Sequence, residues 1–461
     1  MRAGKPSGRR WLVPIVGIVL GSVAGVASVA LANAAAQRSS PPQRAVFDAT
    51  HLPPLLTTPG ERVDLAFDVH CAAGDVEDAE GGCDVSGAVF VRATGTAAFD
   101  RIALSPGSSD ERRRLTASVP DSLASRRGGF EYYAEIEAPD LGERLTVPAG
   151  GADAPHVSRR LENSLDVALG RHAFGADRRE GARLAFASWG DGATQAGLEQ
   201  GRNLPPIGAS AFDVDAAGTV VVLDQAHRRL LRWRKGARSP VHVPLSVTGT
   251  LADMAVGNDG SLYVLESTAE PGRNPLVRRF DDAGRELEAM ETAERTSQIR
   301  MTPDGAVVLA HPSHHWMPIT VDGVPASRAE QRRHGRSSRA LRSGGEIVVF
   351  RHANELRVAL VSGRSMRSWR LTSDTPLAEV QLAESLGQRL VLVVRLYDDS
   401  VGEFAVLTLD RNGLVDRFTL DAADWAETAP LGRFRLAGRS LYRLGSTPSG
   451  AFVDRFDLEV R

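Results

Sequence analysis

Three histidines, His311, His314 and His315, lie within five residues of one another. Neutral imidazole is a common ligand of zinc and other metals, so this group predicts a candidate metal site. The spacing fixes no further ligand, and Pro312 indicates that the group lies in a loop at the end of a strand. Ordinary surface histidines are the alternative interpretation.

A second group of polar residues accompanies short apolar runs in the second half of the chain. Its members are Asp213, Asp253, Arg300, Gln381 and Glu384. If the runs are inner strands around one axis, these side chains line a central tunnel and form a candidate binding site. The alternative is that they satisfy backbone groups at strand ends, since buried polar groups are normally hydrogen-bonded.

Arginines are concentrated between residues 328 and 342. Arg332, Arg333 and Arg336 are the candidate contacts for an anionic ligand such as a cell-wall polymer or a lipid headgroup, and a mobile, solvated loop is the alternative. The whole chain has 55 basic and 57 acidic residues, so no overall field attracts nucleic acid. We find no Gly-x-Ser-x-Gly, phosphate-loop or zinc-protease motif and no cysteine nucleophile.

Glycines that suit tight turns recur at intervals of about 40 to 50 residues, a period typical of β-propellers. They are Gly218, Gly260, Gly305, Gly345, Gly387 and Gly438. All but the last precede a short apolar run, as expected for a hairpin between an inner strand and its neighbour. The pattern predicts a six-bladed β-propeller over residues 183–461.

The last repeat lacks an outer strand because the chain ends after its third strand. Residues Arg183–Trp189, just before the first repeat, have the composition of a strand. We expect this segment to pair with Phe452–Leu458, which closes the ring and removes its open sheet edges.

The segment Ala211–Leu230 resembles an NHL repeat. It has a small-apolar strand, an Asp-x-x-Gly turn at Asp215–Gly218, an apolar strand that ends at Asp224, then an arginine and an apolar residue. The second repeat has Glu266 where the pattern has aspartate, and Met301–Gly305 in the third keeps only the turn.

The resemblance implies a propeller fold and leaves the activity open. NHL-type propellers serve as binding surfaces for protein or RNA. Some relatives are lyases with a histidine cluster, and others are lactonase-like enzymes that hold calcium with carboxylates and amides in the tunnel.

Residues 46–150 contain short apolar runs separated by turn clusters, without amphipathic helices, which predicts a β-sandwich. The predicted strands are Arg62–Val69, Gly87–Thr94, Arg101–Leu104, Arg114–Val119, Phe130–Ala138 and Arg144–Val147. Leu115–Pro120 and Gly129–Ile136 resemble the closing strands of bacterial immunoglobulin-like or fibronectin-like domains.

The first 36 residues predict a signal peptide or an N-terminal anchor helix. Basic residues precede the uncharged stretch Trp11–Leu31, and Ala32–Ala34 provides a small-residue cleavage site. The stretch is long for a cleaved signal and sufficient to span a bilayer, and either interpretation places the remainder outside the cytoplasm. Residues 37–45 are a predicted linker, and 151–182 are a second one with a short helix around Leu161–Leu169.

Cys71 and Cys83 are the two cysteines of the chain. In an oxidising compartment they are expected to form a disulfide.

The sequence therefore predicts an all-β, extracytoplasmic protein, and two classes of function remain. The favoured one is a binding or scaffold protein, secreted or anchored to the membrane, that recognises a protein or envelope component without a cofactor. The alternative is a lyase or lactonase-like hydrolase that uses calcium or zinc in the tunnel. An enzyme requires converging carboxylates or histidines with shifted pKa values, whereas a binder is compatible with a plugged tunnel.

Overall fold

The computed structural model describes residues 46–72, 83–107, 114–201, 205–267, 273–311, 313–352, 354–363, 365–398, 401–426 and 432–458. The predicted signal or anchor segment and the linker after it lie outside these ranges. Within them the protein is all-β, and its strands form many small sheets. No helix in the described ranges is both long enough and apolar enough to cross a membrane.

The first ten strands form two sheets, which we name the β3 sheet and the β8 sheet. The strands are β1 (Val46–Thr50), β2 (Leu56–Thr57), β3 (Asp64–Ala72), β4 (Ser86–Ala93), β5 (Asp100–Ala103), β6 (Ser105–Pro106), β7 (Arg114–Ser118), β8 (Phe130–Ala138), β9 (Glu143–Val147) and β10 (His156–Arg160). The β3 sheet has the order β1-β3-β7-β6, and the β8 sheet has the order β2-β10-β8-β4-β5, with β9 also paired to β8. A short helix, α1 (Asp121–Ala124), follows β7, and a 3₁₀ turn (Gly151–Asp153) precedes β10.

The two sheets share one hydrophobic core. Strand β8 buries every second residue, which is the period expected of a strand between a core and solvent. Phe130, Tyr132 and Ile136 of β8 pack into the same core as Leu65 and Phe67 of β3. Each of the six strands predicted for this region overlaps an observed strand, namely β3, β4, β5, β7, β8 and β9.

The predicted disulfide between Cys71 and Cys83 is present, and it joins the end of β3 to the residues before β4. Closing a loop of this size contributes about 3 kcal/mol in the chain-entropy model. Because such bonds persist in oxidising compartments, the disulfide indicates an extracytoplasmic environment.

Residues 151–182 contain strands where a linker with a short helix was expected. Strand β10 belongs to the β8 sheet, and β11 (Ser164–Ala168) pairs in parallel with a strand about 200 residues later. The helix expected around Leu161–Leu169 is wrong because the apolar period is two: Leu165 and Val167 both pack on the core under that distant strand. Strand β12 (Ala182–Ser188) follows.

After β12 the described strands fall into six sheets of three to five strands, numbered here by the order of their inner strands, and one separate two-stranded hairpin. Sheet 1 contains β13 (Ala211–Val214), β14 (Val220–Asp224), β15 (Arg229–Trp233) and β16 (Val241–Pro244); sheet 2 contains β17 (Thr250–Val256), β18 (Leu262–Ser267), β19 (Leu276–Phe280) and β20 (Glu286–Glu291). Sheet 3 contains β21 (Arg295–Thr302), β22 (Gly305–His311) and β23 (Trp316–Pro318), followed by the hairpin β24 (Thr320–Val321) and β25 (Val324–Pro325) and the helix α2 (Arg328–Arg333). Sheet 4 contains β26 (Arg339–Ala340), β27 (Glu346–His352), β28 (Glu355–Ser362), β29 (Ser365–Thr372) and the parallel strand β11. Sheet 5 contains β30 (Leu377–Leu386), β31 (Arg389–Asp398), β32 (Val401–Asp410) and β33 (Gly413–Asp421); sheet 6 contains β34 (Phe434–Ala437), β35 (Ser440–Thr447), β36 (Gly450–Asp457) and β12.

Every sheet begins with a hairpin at one of the six predicted glycines. All six have positive φ, from 58° at Gly438 to 127° at Gly305. A residue with a Cβ rarely adopts this conformation, so the turns explain why glycine recurs with the sheets.

The six sheets contact one another in a cycle. Strand β13 packs against β17 and β34, β17 against β21, β27 against β30, and β30 against β34. Sheets 3 and 4 are in contact through Arg339 of β26, whose Cζ lies 5.5 Å from the centre of the Trp316 ring of β23. The predicted closing pair is present, because β12 runs antiparallel to β36 with Ala187 opposite Ala451 and Ser188 opposite Gly450. The arrangement is propeller-like, and each sheet has two neighbours.

In sheets 1 and 2, a buried carboxylate at the end of the second strand links the sheet to the loop before it. Asp224 accepts a hydrogen bond from the Gly197 amide and pairs with Arg229 at 2.9 Å. Glu266 accepts from the amides of Thr248 and Gly249 and pairs with Arg278. Glu266, which departs from the NHL pattern, therefore makes the same kinds of contact as Asp224: it accepts from loop amides and pairs with an arginine.

Candidate functional site

The centre of the ring is filled by charged side chains from four inner strands. Asp253 of β17 lies 2.7 Å from Nη1 of Arg300 and 2.9 Å from Nη2 of Arg435. Arg435 of β34 also lies 3.8 Å from Asp213 of β13. The structure thus brings together three of the five residues predicted to line the tunnel.

Both aspartates also hold backbone amides of neighbouring strands. Asp213 accepts hydrogen bonds from the amides of Val214 and Val256, and Asp253 accepts from the amides of Met254 and Ile299. Each carboxylate therefore links its own sheet to the next one. This arrangement supports the structural interpretation of these residues, in which they satisfy buried backbone groups.

Arg435 was not among the predicted site residues, although a signal for it exists in the sequence. Phe434-Arg435-Leu436 repeats the apolar-arginine-apolar order of Ile299-Arg300-Met301 on an inner strand. Burial, with smaller contributions from Arg435 and Arg339, lowers the pKa of Arg300 to about 10. Arg300 is therefore still a cation at neutral pH.

A cavity of about 300 Å³ lies between sheets 3, 4 and 5, next to the central network through Arg300. It brings together Arg300, Gln381 and Glu384 from the predicted tunnel group and His314 from the predicted metal group. Its apolar wall is formed by Leu52, Pro53, Leu55, Leu309, Trp316, Ile347, Val349, Phe350, Val380, Leu382 and Ala383. The remaining lining residues are Gln298, Ser337, Arg339 and Arg351.

Arg339 is a buried and firmly held charge of the cavity. It is 8% exposed, its Nη2 lies 2.6 Å from Glu384 Oε1, and the same nitrogen donates to the Ala383 carbonyl at 2.7 Å. Gln381 donates from Nε2 to Glu379 at 2.6 Å, which orients its amide. The sequence placed Arg339 only in the arginine-rich segment 328–342 and not with the tunnel group, because the two-residue strand β26 that carries it has no recognisable pattern.

The three clustered histidines do not converge on one point. The rings of His311 and His314 lie 5.3 Å apart, and His311 is 2.7 Å from the Ser297 hydroxyl. His315 is turned away and contacts Nδ1 of His156 at 3.1 Å. In the described part of the chain no group of three or more His, Cys, Asp or Glu side chains is arranged to hold a metal ion, so the geometry gives the predicted metal site no support.

His315 belongs instead to a buried histidine group between the β8 sheet and sheet 3. His51 donates from Nδ1 to the Ala66 carbonyl, which leaves its Nε2 to accept from the Tyr132 hydroxyl at 2.8 Å. The rings of His51 and His156 lie 5.6 Å apart. Burial lowers the pKa of His51 to about 4 and of His315 to about 3, and it lowers the pKa of His156 well below its usual range.

The arginines predicted to bind an anion lie on and after α2, which replaces the expected mobile loop. Ser327 caps this helix and forms a capping box with Glu330. Arg332 is half-buried and donates to the Ala293 carbonyl at 2.9 Å, whereas Arg333 and Arg336 are exposed.

No family model and no curated protein sequence matches this chain. Among solved structures, it is similar to Kuenenia stuttgartiensis hydrazine synthase, with 13% identity, 57% of this chain and 90% of that chain covered, and a TM-score of 0.33. It is also similar to virginiamycin B lyase from Staphylococcus aureus, with 9% identity, coverage of 54% and 95%, and a TM-score of 0.33. A member of the DUF4221 family from Bacteroides vulgatus has 8% identity, coverage of 62% and 99%, and a TM-score of 0.36. Similarities this distant do not bear on activity or ligands.

Proposed function

We propose that this chain is an exported binding or scaffold protein whose propeller presents a rigid surface to a component of the cell envelope. The observation that carries the proposal is the charged network at the ring centre. Asp213 and Asp253 each hold backbone amides of two strands as well as an arginine. Carboxylates that accept from backbone amides and pair with arginines link strands, and they are poorly placed for acid–base chemistry.

The proposal includes the finer architecture. Residues 183–461 form a six-bladed NHL-like β-propeller, and 46–150 form an immunoglobulin-like β-sandwich that acts as a spacer. Residues 1–36 act as a signal peptide or a membrane anchor. The cyclic contacts of the six sheets, the closing strand β12 and the disulfide support this arrangement.

The metal-dependent lyase or hydrolase alternative lacks a comparable observation. Its candidate carboxylates are used between strands, and the clustered histidines face different partners.

The proposed contact surface is the exposed pair Arg333 and Arg336 on and after α2. Helix α2 is fixed at its start by the Ser327 cap and along its side by Arg332, so the two exposed guanidinium groups are presented from a rigid support. Arginine binds phosphate and carboxylate oxygens bidentately, which suits an anionic envelope polymer or lipid headgroup.

The test compares sedimentation of the full chain with anionic lipid vesicles and with a cell-wall preparation. We expect the double reversal Arg333→Glu/Arg336→Glu to reduce binding at least tenfold to one of the two. The control Arg234→Glu/Arg238→Glu reverses two exposed arginines between β15 and β16 and is expected to retain binding. Unchanged binding by the first variant, or equal loss by the control, would refute the proposed surface.

A further inference from the structure

The cavity between sheets 3, 4 and 5 has the properties of a small-molecule site. Its volume of about 300 Å³ lies at the lower end of the range for ligand pockets, and its walls combine apolar and polar side chains as such pockets do. Trp316, Phe350 and Leu382 provide large apolar surface. None of Arg332, Arg333 or Arg336 lines it, so it is separate from the surface proposed above.

Positive charge exceeds negative charge around the cavity. Its lining contains Arg300, Arg339 and Arg351 against the carboxylate of Glu384, and Arg300 is also paired with Asp253, which leaves a net positive charge. In a site with low-dielectric walls this excess favours an anion, because charge interactions are stronger there than in water.

Arg339 has donor capacity that the protein does not use. Its contacts with Glu384 and Ala383 both involve Nη2, which leaves Nε and Nη1 without a hydrogen-bond partner among the described residues. A guanidinium has five N–H donors, and two adjacent ones match the two oxygens of a carboxylate or phosphate. Arg339 is also held in place, with its Cζ 5.5 Å from the centre of the Trp316 ring.

His314 is a further polar group of the lining. Its backbone has φ of 52°, in the left-handed region that non-glycine residues seldom occupy, and such positions cluster at functional sites. Burial lowers its pKa to about 4, so the ring is neutral at pH 7 and has an N–H to donate.

One part of the cavity wall comes from the N-terminal half of the chain. Leu52, Pro53 and Leu55, which precede β2, line the cavity. This segment is anchored to sheet 4, since Arg357 donates to the Leu56 carbonyl at 2.7 Å and lies 2.6 Å from Glu61. The site is therefore complete only when the N-terminal sheets are docked on the ring.

We propose that this cavity binds a small organic anion, with its carboxylate or phosphate head against Arg339 and His314 and its apolar body against Trp316, Phe350 and Leu382.

The experiment is isothermal titration of the full chain with three eight-carbon probes: octanoate, octyl phosphate and octanol. We expect at least one anion to bind at least tenfold more tightly than octanol. Preference for octanoate indicates a free organic acid, and preference for octyl phosphate indicates a lipid-type phosphate. Absence of binding by both anions, or equal binding of octanol, would overturn the proposal.

Two variants locate the binding. Arg339→Gln/Glu384→Gln removes the cation together with its partner, so no carboxylate is left unpaired, and it is expected to weaken anion binding at least tenfold. Val380→Phe fills the cavity and is expected to abolish binding even if the double variant folds poorly. The control Arg367→Gln lies in β29 of sheet 4, outside the cavity, and is expected to bind normally. Full binding by a folded Val380→Phe variant would place the ligand elsewhere.

Discussion

At the scale of single residues, the charged side chains at the ring centre hold neighbouring inner strands together. Arg435 is 6% exposed and Asp253 is 1% exposed, and the two are 2.9 Å apart. Asp253 holds two arginines and two amides at once, so it is the hub of the network. Replacing one member of a buried pair leaves the other charge uncompensated, which costs far more than losing a surface pair.

We therefore expect Arg435→Met to lower the free energy of unfolding by about 3 to 5 kcal/mol, measured by urea denaturation. The control is Arg285→Met, which removes an exposed arginine paired with Asp281 and is expected to leave stability nearly unchanged. Similar stability of the two variants would show that the central network does not hold the strands.

At the scale of elements, the sequence was informative where the signal is local. The turn glycines were predicted correctly because a positive φ restricts the residue type at one position. Strand β8 was predicted with its observed ends because its apolar residues alternate over nine positions.

Elements that depend on distant partners were missed. Strand β11 pairs with β29, far along the chain, and its few residues carry too weak a pattern to reveal this. Dependence on distant partners also explains which site residues could be predicted from the sequence. Asp213, Asp253 and Arg300 were predicted together from the repeat, whereas the pairing of His315 with His156 joins two segments that no repeat relates.

At the scale of the whole molecule, the N-terminal sheets are bound to the ring by buried contacts. Arg357 reaches the Leu56 carbonyl, and His315 reaches His156. Because Leu52, Pro53 and Leu55 line the cavity and belong to this junction, ligand binding and the docking of the two parts are expected to be coupled.

The buried histidines predict acid sensitivity of this junction. Burial lowers the folded-state pKa of His315 to about 3, whereas the same imidazole in the unfolded chain has a pKa of about 6.5. Below pH 6.5 the unfolded chain therefore binds more protons than the folded chain. The free energy of unfolding is therefore unaffected by His315 above pH 6.5. It decreases as the pH falls from 6.5 toward 3, because the unfolded chain is protonated there and the folded chain is not. For His315 alone the loss between pH 7 and pH 5 is about 2 kcal/mol.

The measurement is the free energy of unfolding of the wild type and His315→Gln at both pH values. The variant is expected to lose about 2 kcal/mol less than the wild type on acidification. His334→Gln, at an exposed histidine after α2, serves as the control and is expected to follow the wild type. An identical pH dependence of His315→Gln and the wild type would contradict the assignment.

Closure of the ring is the claim on which the central charged network, the cavity and the proposed surface all depend. Its most direct test is disulfide formation in Ala187→Cys/Ala451→Cys, quantified by mass spectrometry of peptides after mild oxidation. The two residues are opposite each other in β12 and β36, and paired residues in antiparallel strands lie about 4.5 to 5.5 Å apart, within disulfide range. We predict nearly complete cross-linking in this pair and none in Ala187→Cys/Ala217→Cys, whose second site is in the first turn of sheet 1. A folded Ala187→Cys/Ala451→Cys protein that stays reduced would contradict a closed ring.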